Sequence, residues 1–224
     1  MVILMDEIKN DHFLKFCSVV KRSMIEPANF EKCLTNMIDA SLDDSRKIYV
    51  YADDEYNMQV LKLDEYTKDF EKKRRPIVKE NISSKREGNN CSYQPNAVDA
   101  VCVNKSNEWF LIEFKNQKLD VAVSDSIKKM LSSVWLIAYM YSTLSENISD
   151  EQDILKFSRE HITFITIVNS EENSTIEEAI GATWEKDGTF YTPGKFARYK
   201  GYYFKDAYVL TEKGLRSFIK YFDK

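Results

Sequence analysis

Histidine, glycine, proline and cysteine are all scarce in this 224-residue chain, which holds 2 His, 6 Gly, 4 Pro and 4 Cys. The two histidines, His12 and His161, stand far apart, and neither is assigned a role. With so few glycines there is no P-loop, no dinucleotide-binding glycine pattern and no Gly/Ser linker to separate domains. A single domain over 1–224 is the expectation. Cys17, Cys33, Cys91 and Cys102 form no CxxC pair, which argues against a zinc site and for free thiols in a reducing compartment. The most apolar segment, Val134 to Tyr141, is far too short to span a bilayer, and MVILM runs straight into Asp6 and Glu7, unlike a signal peptide. The expectation is a cytoplasmic protein with no membrane partner.

No excess of positive charge is present either, since 36 acidic groups outnumber 32 basic ones for a net charge of −4. The distribution is uneven. Residues 71–140 carry 12 basic against 8 acidic groups, and 195–224 carry 8 against 3. These are two basic islands in an acidic chain, and a local positive surface suits a phosphate-bearing partner.

What is abundant is apolar sequence (43%) patterned for a folded core. Phe13, Phe16, Cys17 and Val20 repeat at helical spacing, and Phe30, Cys33, Leu34, Met37 and Ile38 do so again behind Pro27. The periodicity predicts helices over 8–24 and 28–42. Strands are predicted at 47–52 and 58–63, and a charged helix over 64–75 ending in the KKRR run. A long helix is predicted over 122–144, capped by Ser124 or Asp125. A strand at 161–168 follows. Beyond it the pattern predicts a helix at 175–184, a Tyr-rich loop or strand over 189–204, a strand at 207–210 and a closing helix at 212–222.

Pro95 to Lys118 carries the chemistry. Val98–Val103 and Trp109–Phe114 read as strands joined by the polar turn NKSNE, hence a β-hairpin. Symmetry about Ser106 places Asp99 directly opposite Glu113, and side-chain alternation puts Lys115 on the same face. Opposed carboxylates roughly 5 Å apart repel unless a cation lies between them. The plainer alternative is a strand-end aspartate and an exposed Glu113–Lys115 pair. It fits poorly, because Val101, Val103, Trp109 and Leu111 share that face.

An acidic residue followed one hairpin later by (D/E)-x-K resembles the signature of the PD-(D/E)XK nuclease superfamily. The matching positions are Asp99 and the triplet Glu113-Phe114-Lys115, within a core of about 28–169. Pro95 precedes Asp99 by four residues rather than directly. The resemblance implies an α/β, restriction-endonuclease-like αβββαβ core with a mixed central sheet flanked by helices. Residues 1–27 would be an N-terminal helix and 170–224 a C-terminal α+β extension. It further implies a Mg²⁺ (or Mn²⁺) ion on Asp99, Glu113 and the Phe114 carbonyl, with Lys115 acting on the attacking water. Gln117 would touch the nucleophile or the backbone. Glu31, or failing it Glu26, would add a helix-borne carboxylate. Lys128 or Lys129 would supply a basic group from the following helix, and Arg198 and Lys200 lie in an aromatic, basic cluster suited to nucleic acid. The implied activity is phosphodiester hydrolysis of DNA ahead of RNA, with a homodimer left open. A non-catalytic nucleic-acid-binding or assembly module on the same fold is the alternative.

Overall fold

The structure is a computed structural model, and it describes residues 11–81, 95–148, 153–173 and 190–222. A mixed six-stranded sheet runs β1-β4-β5-β6-β7-β8 through its middle, and a two-stranded ribbon, β2-β3, stands beside it. The sheet strands are β1 (Leu34–Asn36), β4 (Gln59–Leu61), β5 (Ala100–Val103), β6 (Trp109–Lys115), β7 (Ile162–Val168) and β8 (Asp206–Thr211). Neighbours are antiparallel from β1 to β6, and β6, β7 and β8 are mutually parallel. β7 (ITFITIV) is buried at every position, as a strand covered on both faces must be.

Helices close both faces. On one lie α1 (Asp11–Ser23) and α4 (Leu119–Thr143), with Phe13, Phe16, Met130, Leu136 and Ile137 packed on Val101, Val103, Trp109 and Leu111. On the other lie the short α2 (Met37–Ala40) and a C-terminal helix, Glu212–Phe222, packed on Ala100, Cys102, Phe110, Ile112 and Phe114. Odd-numbered β6 residues face the first layer and even-numbered ones the second. α4 and α5 (Ile154–His161) make the crossover that lays β7 parallel to β6.

The β5–β6 hairpin has the register that symmetry about Ser106 requires: Ala100 pairs with Ile112 and Val103 with Trp109. Its turn is held by Asn104, whose Oδ1 accepts from Ser106 N (3.0 Å) and Glu108 N (2.8 Å). Asn107 takes the left-handed φ of 60°, a conformation that asparagine tolerates.

Several expectations are corrected. The predicted helix over 28–42 is a 3₁₀ turn at Pro27–Lys32, then β1, then α2. Phe30, Cys33 and Met37 are buried as the stripe demands. However, Thr35 extends into pairing with Val60, and Asn36 caps α2 by accepting from Asp39 N at 2.8 Å. The helix predicted to stop at Arg75 is α3 (Leu63–Asn81), which continues through Pro76 without that residue's backbone donor. The strand predicted over 47–52 narrows to β3 (Ile48–Tyr49), which pairs with β2 (Leu42–Asp43) rather than with the main sheet. His161 ends α5 instead of opening β7, and a four-residue helix, α6 (Gly194–Ala197), sits in the Tyr-rich segment. The closing helix is thus α7. Neither Ser124 nor Asp125 caps α4. It begins at Leu119, whose N–H donates to Asn173 Oδ1 at 2.8 Å. The predicted helix at 175–184 and Cys91 lie outside the described residues.

Cys17, Cys33 and Cys102 are free and buried. Among the described residues no helix is long and apolar enough to cross a membrane.

Candidate functional site

The carboxylates meet where the hairpin approaches α4. The backbone before Asp99 is pinned to that helix: Val98 N donates to Ser133 Oγ at 3.0 Å, and Ser132 Oγ donates to the Asn96 carbonyl. Ser126, Lys129 and Ser133 recur at three- and four-residue spacing, so they share the sheet-facing side of α4. The two small serines are fully buried, and their size lets Lys129 reach the strands.

Asp99 Oδ2 accepts from the Phe114 N–H at 2.8 Å, which fixes the carboxylate against the neighbouring strand. Its Oδ1 meets Lys129 Nζ at 3.1 Å. The same ammonium stands 2.7 Å from Glu113 Oε1, and Lys115 Nζ stands 2.9 Å from that oxygen. Glu113 is 0% exposed, and its Oε2 has no hydrogen-bond partner among the described residues. Lys115 is nearly covered, with 16% of its side chain exposed.

Burial first, and then the Asp99 charge, push Glu113 up to about 8, against the pull of Lys129 and Lys115. Burial works against a charged Lys129, but Asp99 and Glu113 outweigh it and hold that ammonium protonated. The two directions conflict if Glu113 alone is asked to balance Lys129. Asp99, which is partly solvated, resolves the conflict by keeping Lys129 charged, while the sealed Glu113 remains hard to ionise without further positive charge.

These groups line a cleft of about 430 Å³. Its walls are the ribbon segment Ala40–Arg46, Lys62 and Asp64 at the β4–α3 junction, Asp99, Glu113–Gln117 and Lys129. Asn116 accepts from Asn169 Nδ2 at 3.1 Å. Asp43 is held below the usual carboxylate range chiefly by the Ser45 hydroxyl, which donates to its Oδ1 at 2.6 Å. Gln117 Oε1 is buried without a partner among the described residues, while its backbone carbonyl accepts from Asn173 Nδ2 at 3.0 Å.

Asp99, Glu113, Phe114, Lys115, Gln117 and Lys129 are therefore brought together, and the other candidates are not. Glu31 is exposed on the 3₁₀ turn and does not line the cleft. Glu26 pairs with Lys72 at 3.2 Å outside it. Lys128 is exposed and does not line the cleft that its neighbour lines. Arg198 is exposed and is not part of the wall. Lys200 is bound to Asp206 (2.6 Å) at the start of β8, whereas Glu113 and Lys115 lie toward the far end of the parallel strands.

Lys62 and Asp64 join the cleft wall unforeseen by sequence reasoning. Asp64 is raised by burial first, eased by Lys62, and raised again by Glu65 and Asp99. A carboxylate at a helix start between the buried Leu61, Leu63 and Tyr66 was the available signal.

Could the site hold a metal? Its donors are hard carboxylate oxygens, and the bare, buried Glu113 Oε2 is a group that a hard divalent cation would satisfy. Among the described residues no cluster of three or more His, Cys, Asp or Glu side chains is spaced to bind an ion. Asp99 and Glu113 would therefore need backbone oxygens and waters to complete a shell. Comparison with protein-family models, curated proteins and solved structures finds no match to this chain.

Proposed function

We propose that the chain is a Mg²⁺- or Mn²⁺-dependent nuclease of the PD-(D/E)XK type, hydrolysing phosphodiesters in DNA or RNA. One observation carries the proposal. A fully buried glutamate with one oxygen unpartnered among the described residues shares the Lys129 ammonium with an aspartate, and a second lysine stands 2.9 Å from it. Lys115 and Lys129 both lie against Oε1, but Oε2 is left buried and unsatisfied, and a hard cation held there would meet a need that the two lysines do not.

Asp99 and Glu113 would hold the ion, with the Phe114 carbonyl as a further donor. Bound there, it would polarise the scissile phosphodiester and lower the pKa of a water. Lys115 orients the attacking water and offsets the charge that builds on the phosphorane oxygens. Gln117 offers its bare Oε1 to accept from the attacking water, while its amide nitrogen would donate to the backbone. Phe114 N–H fixes Asp99, so the carboxylate does not reorganise as charge develops.

A labelled panel of single- and double-stranded DNA and RNA, incubated with Mg²⁺ or Mn²⁺ and with EDTA, tests the proposal. Metal-dependent cleavage is expected, with Lys115→Ala slower by about 10²–10³-fold and Asp99→Ala inactive though folded. No cleavage of any substrate by the wild type would overturn it. A non-catalytic binding or assembly module on the same fold is the second reading. What favours it is Lys129, whose ammonium already contacts both carboxylates.

A further inference from the structure

Among the described residues Lys129 bridges both candidate carboxylates, at 3.1 Å from Asp99 Oδ1 and 2.7 Å from Glu113 Oε1. It occupies the position between opposed carboxylates that a cation would take. We infer that Lys129 is a built-in counter-cation which a divalent metal must displace, so that α4 sets the metal affinity of the site. The inference rests on the proposed metal site and adds its regulation.

Three observations support it. First, Lys129 is held on the sheet-facing side of α4 by its packing, with Ser126 and Ser133 buried one turn to either side. Its reach into the site is thus a property of the helix rather than of a loose surface chain. Second, the contact is asymmetric. Asp99 has a second anchor in the Phe114 N–H and Glu113 has Lys115 at 2.9 Å, so both carboxylates stay in place when Lys129 leaves. Third, an ion seated between the two carboxylates would take the place that the Lys129 ammonium fills, and charges about 4 Å apart in a partly buried site repel by several kcal/mol, which favours a Lys129 that has moved aside. In the metal-free protein the ammonium gives the sealed glutamate a partner at 2.7 Å. It is also tethered at the cleft wall, where a substrate phosphate would arrive.

The test is calorimetric titration of Mn²⁺ into the full chain at mildly alkaline pH, where Glu113 ionises. Wild type is compared with Lys129→Met, Lys129→Gln, Lys129→Arg and Glu113→Ala, and Lys128→Met serves as the neighbouring charge control. Removing the resident cation should tighten Mn²⁺ binding by about tenfold or more in Lys129→Met and Lys129→Gln. Lys129→Arg and Lys128→Met should stay near wild type. Melting temperatures give a second readout: without metal Lys129→Met should melt below wild type, and saturating Mn²⁺ should close the gap. Lys129→Gln answers the question if the methionine variant does not fold. Unchanged or weaker Mn²⁺ binding in both neutral variants, with binding still abolished by Glu113→Ala, overturns the displacement inference and leaves the metal site standing. No Mn²⁺ binding by any variant overturns both.

Discussion

Glu113→Gln keeps the side chain's shape and deletes its charge, so it isolates what the buried carboxylate does to stability. In the native protein the carboxyl is raised from 4.5 to about 8 by burial and by Asp99, while in the unfolded chain it titrates near the ordinary value. A folded-state pKa above the unfolded one makes the stabilising contribution complete below the unfolded value. It is then lost progressively as pH rises toward the folded value, because the unfolded chain ionises first. Each unit is worth about 1.4 kcal/mol, so this window carries several kcal/mol in favour of the acidic end. Glutamine has no such slope. Urea unfolding in EDTA at several pH values should therefore show the two proteins nearly equal at the acidic end. Glu113→Gln should become the more stable by several kcal/mol at the alkaline end. Adding Mn²⁺ at about one hundred times its Kd should return about 2.7 kcal/mol to the wild type and none to the variant. A stability difference that does not change with pH would refute the claim that Glu113 is costly to ionise where it lies.

Four further outcomes follow from named contacts. Ser133→Ala removes the acceptor of the buried Val98 N–H, so it should cost about 1–3 kcal/mol in urea unfolding and weaken Mn²⁺ binding by loosening Asp99. Asn173→Ala uncaps α4 at Leu119 and frees the Gln117 carbonyl, at a cost of about 1–2 kcal/mol by the same assay. Trp109→Ala deletes a ring with edge-to-face contacts to Phe16 (4.6 Å) and Phe157 (5.6 Å). It should lose about 3–5 kcal/mol, visible as a large drop in melting temperature. Glu31→Ala alters an exposed residue outside the cleft and should leave Mn²⁺ affinity, measured by calorimetry, unchanged.

The hairpin was legible in the sequence because its signals are local. NKSNE closes a short turn, and period-two alternation on either side sets which residues face each other. The ladder from Ala100–Ile112 to Val103–Trp109 follows from counting alone, and Asp99, just outside the strand that was expected to begin at Val98, comes to Glu113 through their shared contact with Lys129. The long helix and the parallel strand after it were legible for the same reason, since their apolar periods are long and uninterrupted. The segment 28–42 was not. Its stripe of Phe30, Cys33 and Met37 is buried as a helix would bury it, yet β1 exists because Leu34–Asn36 pairs with Gln59–Leu61 more than twenty residues away. Such long-range pairing overrides a local period. Glu31 was misplaced with that helix. Lys129 was distinguishable from Lys128 only through the rotation of α4, which Ser126 and Ser133 fix against the sheet. Asn173, which holds the start of that helix, acts across 54 residues and leaves no local trace.

Crystals soaked in Mn²⁺, with data collected for anomalous scattering, test the central claim most directly. The account predicts a peak between Asp99 and Glu113, about 2 Å from an oxygen of each, with the Lys129 ammonium moved out of the gap. Electron density showing Lys129 still bridging both carboxylates at saturating Mn²⁺, with no anomalous peak beside Glu113, would contradict it.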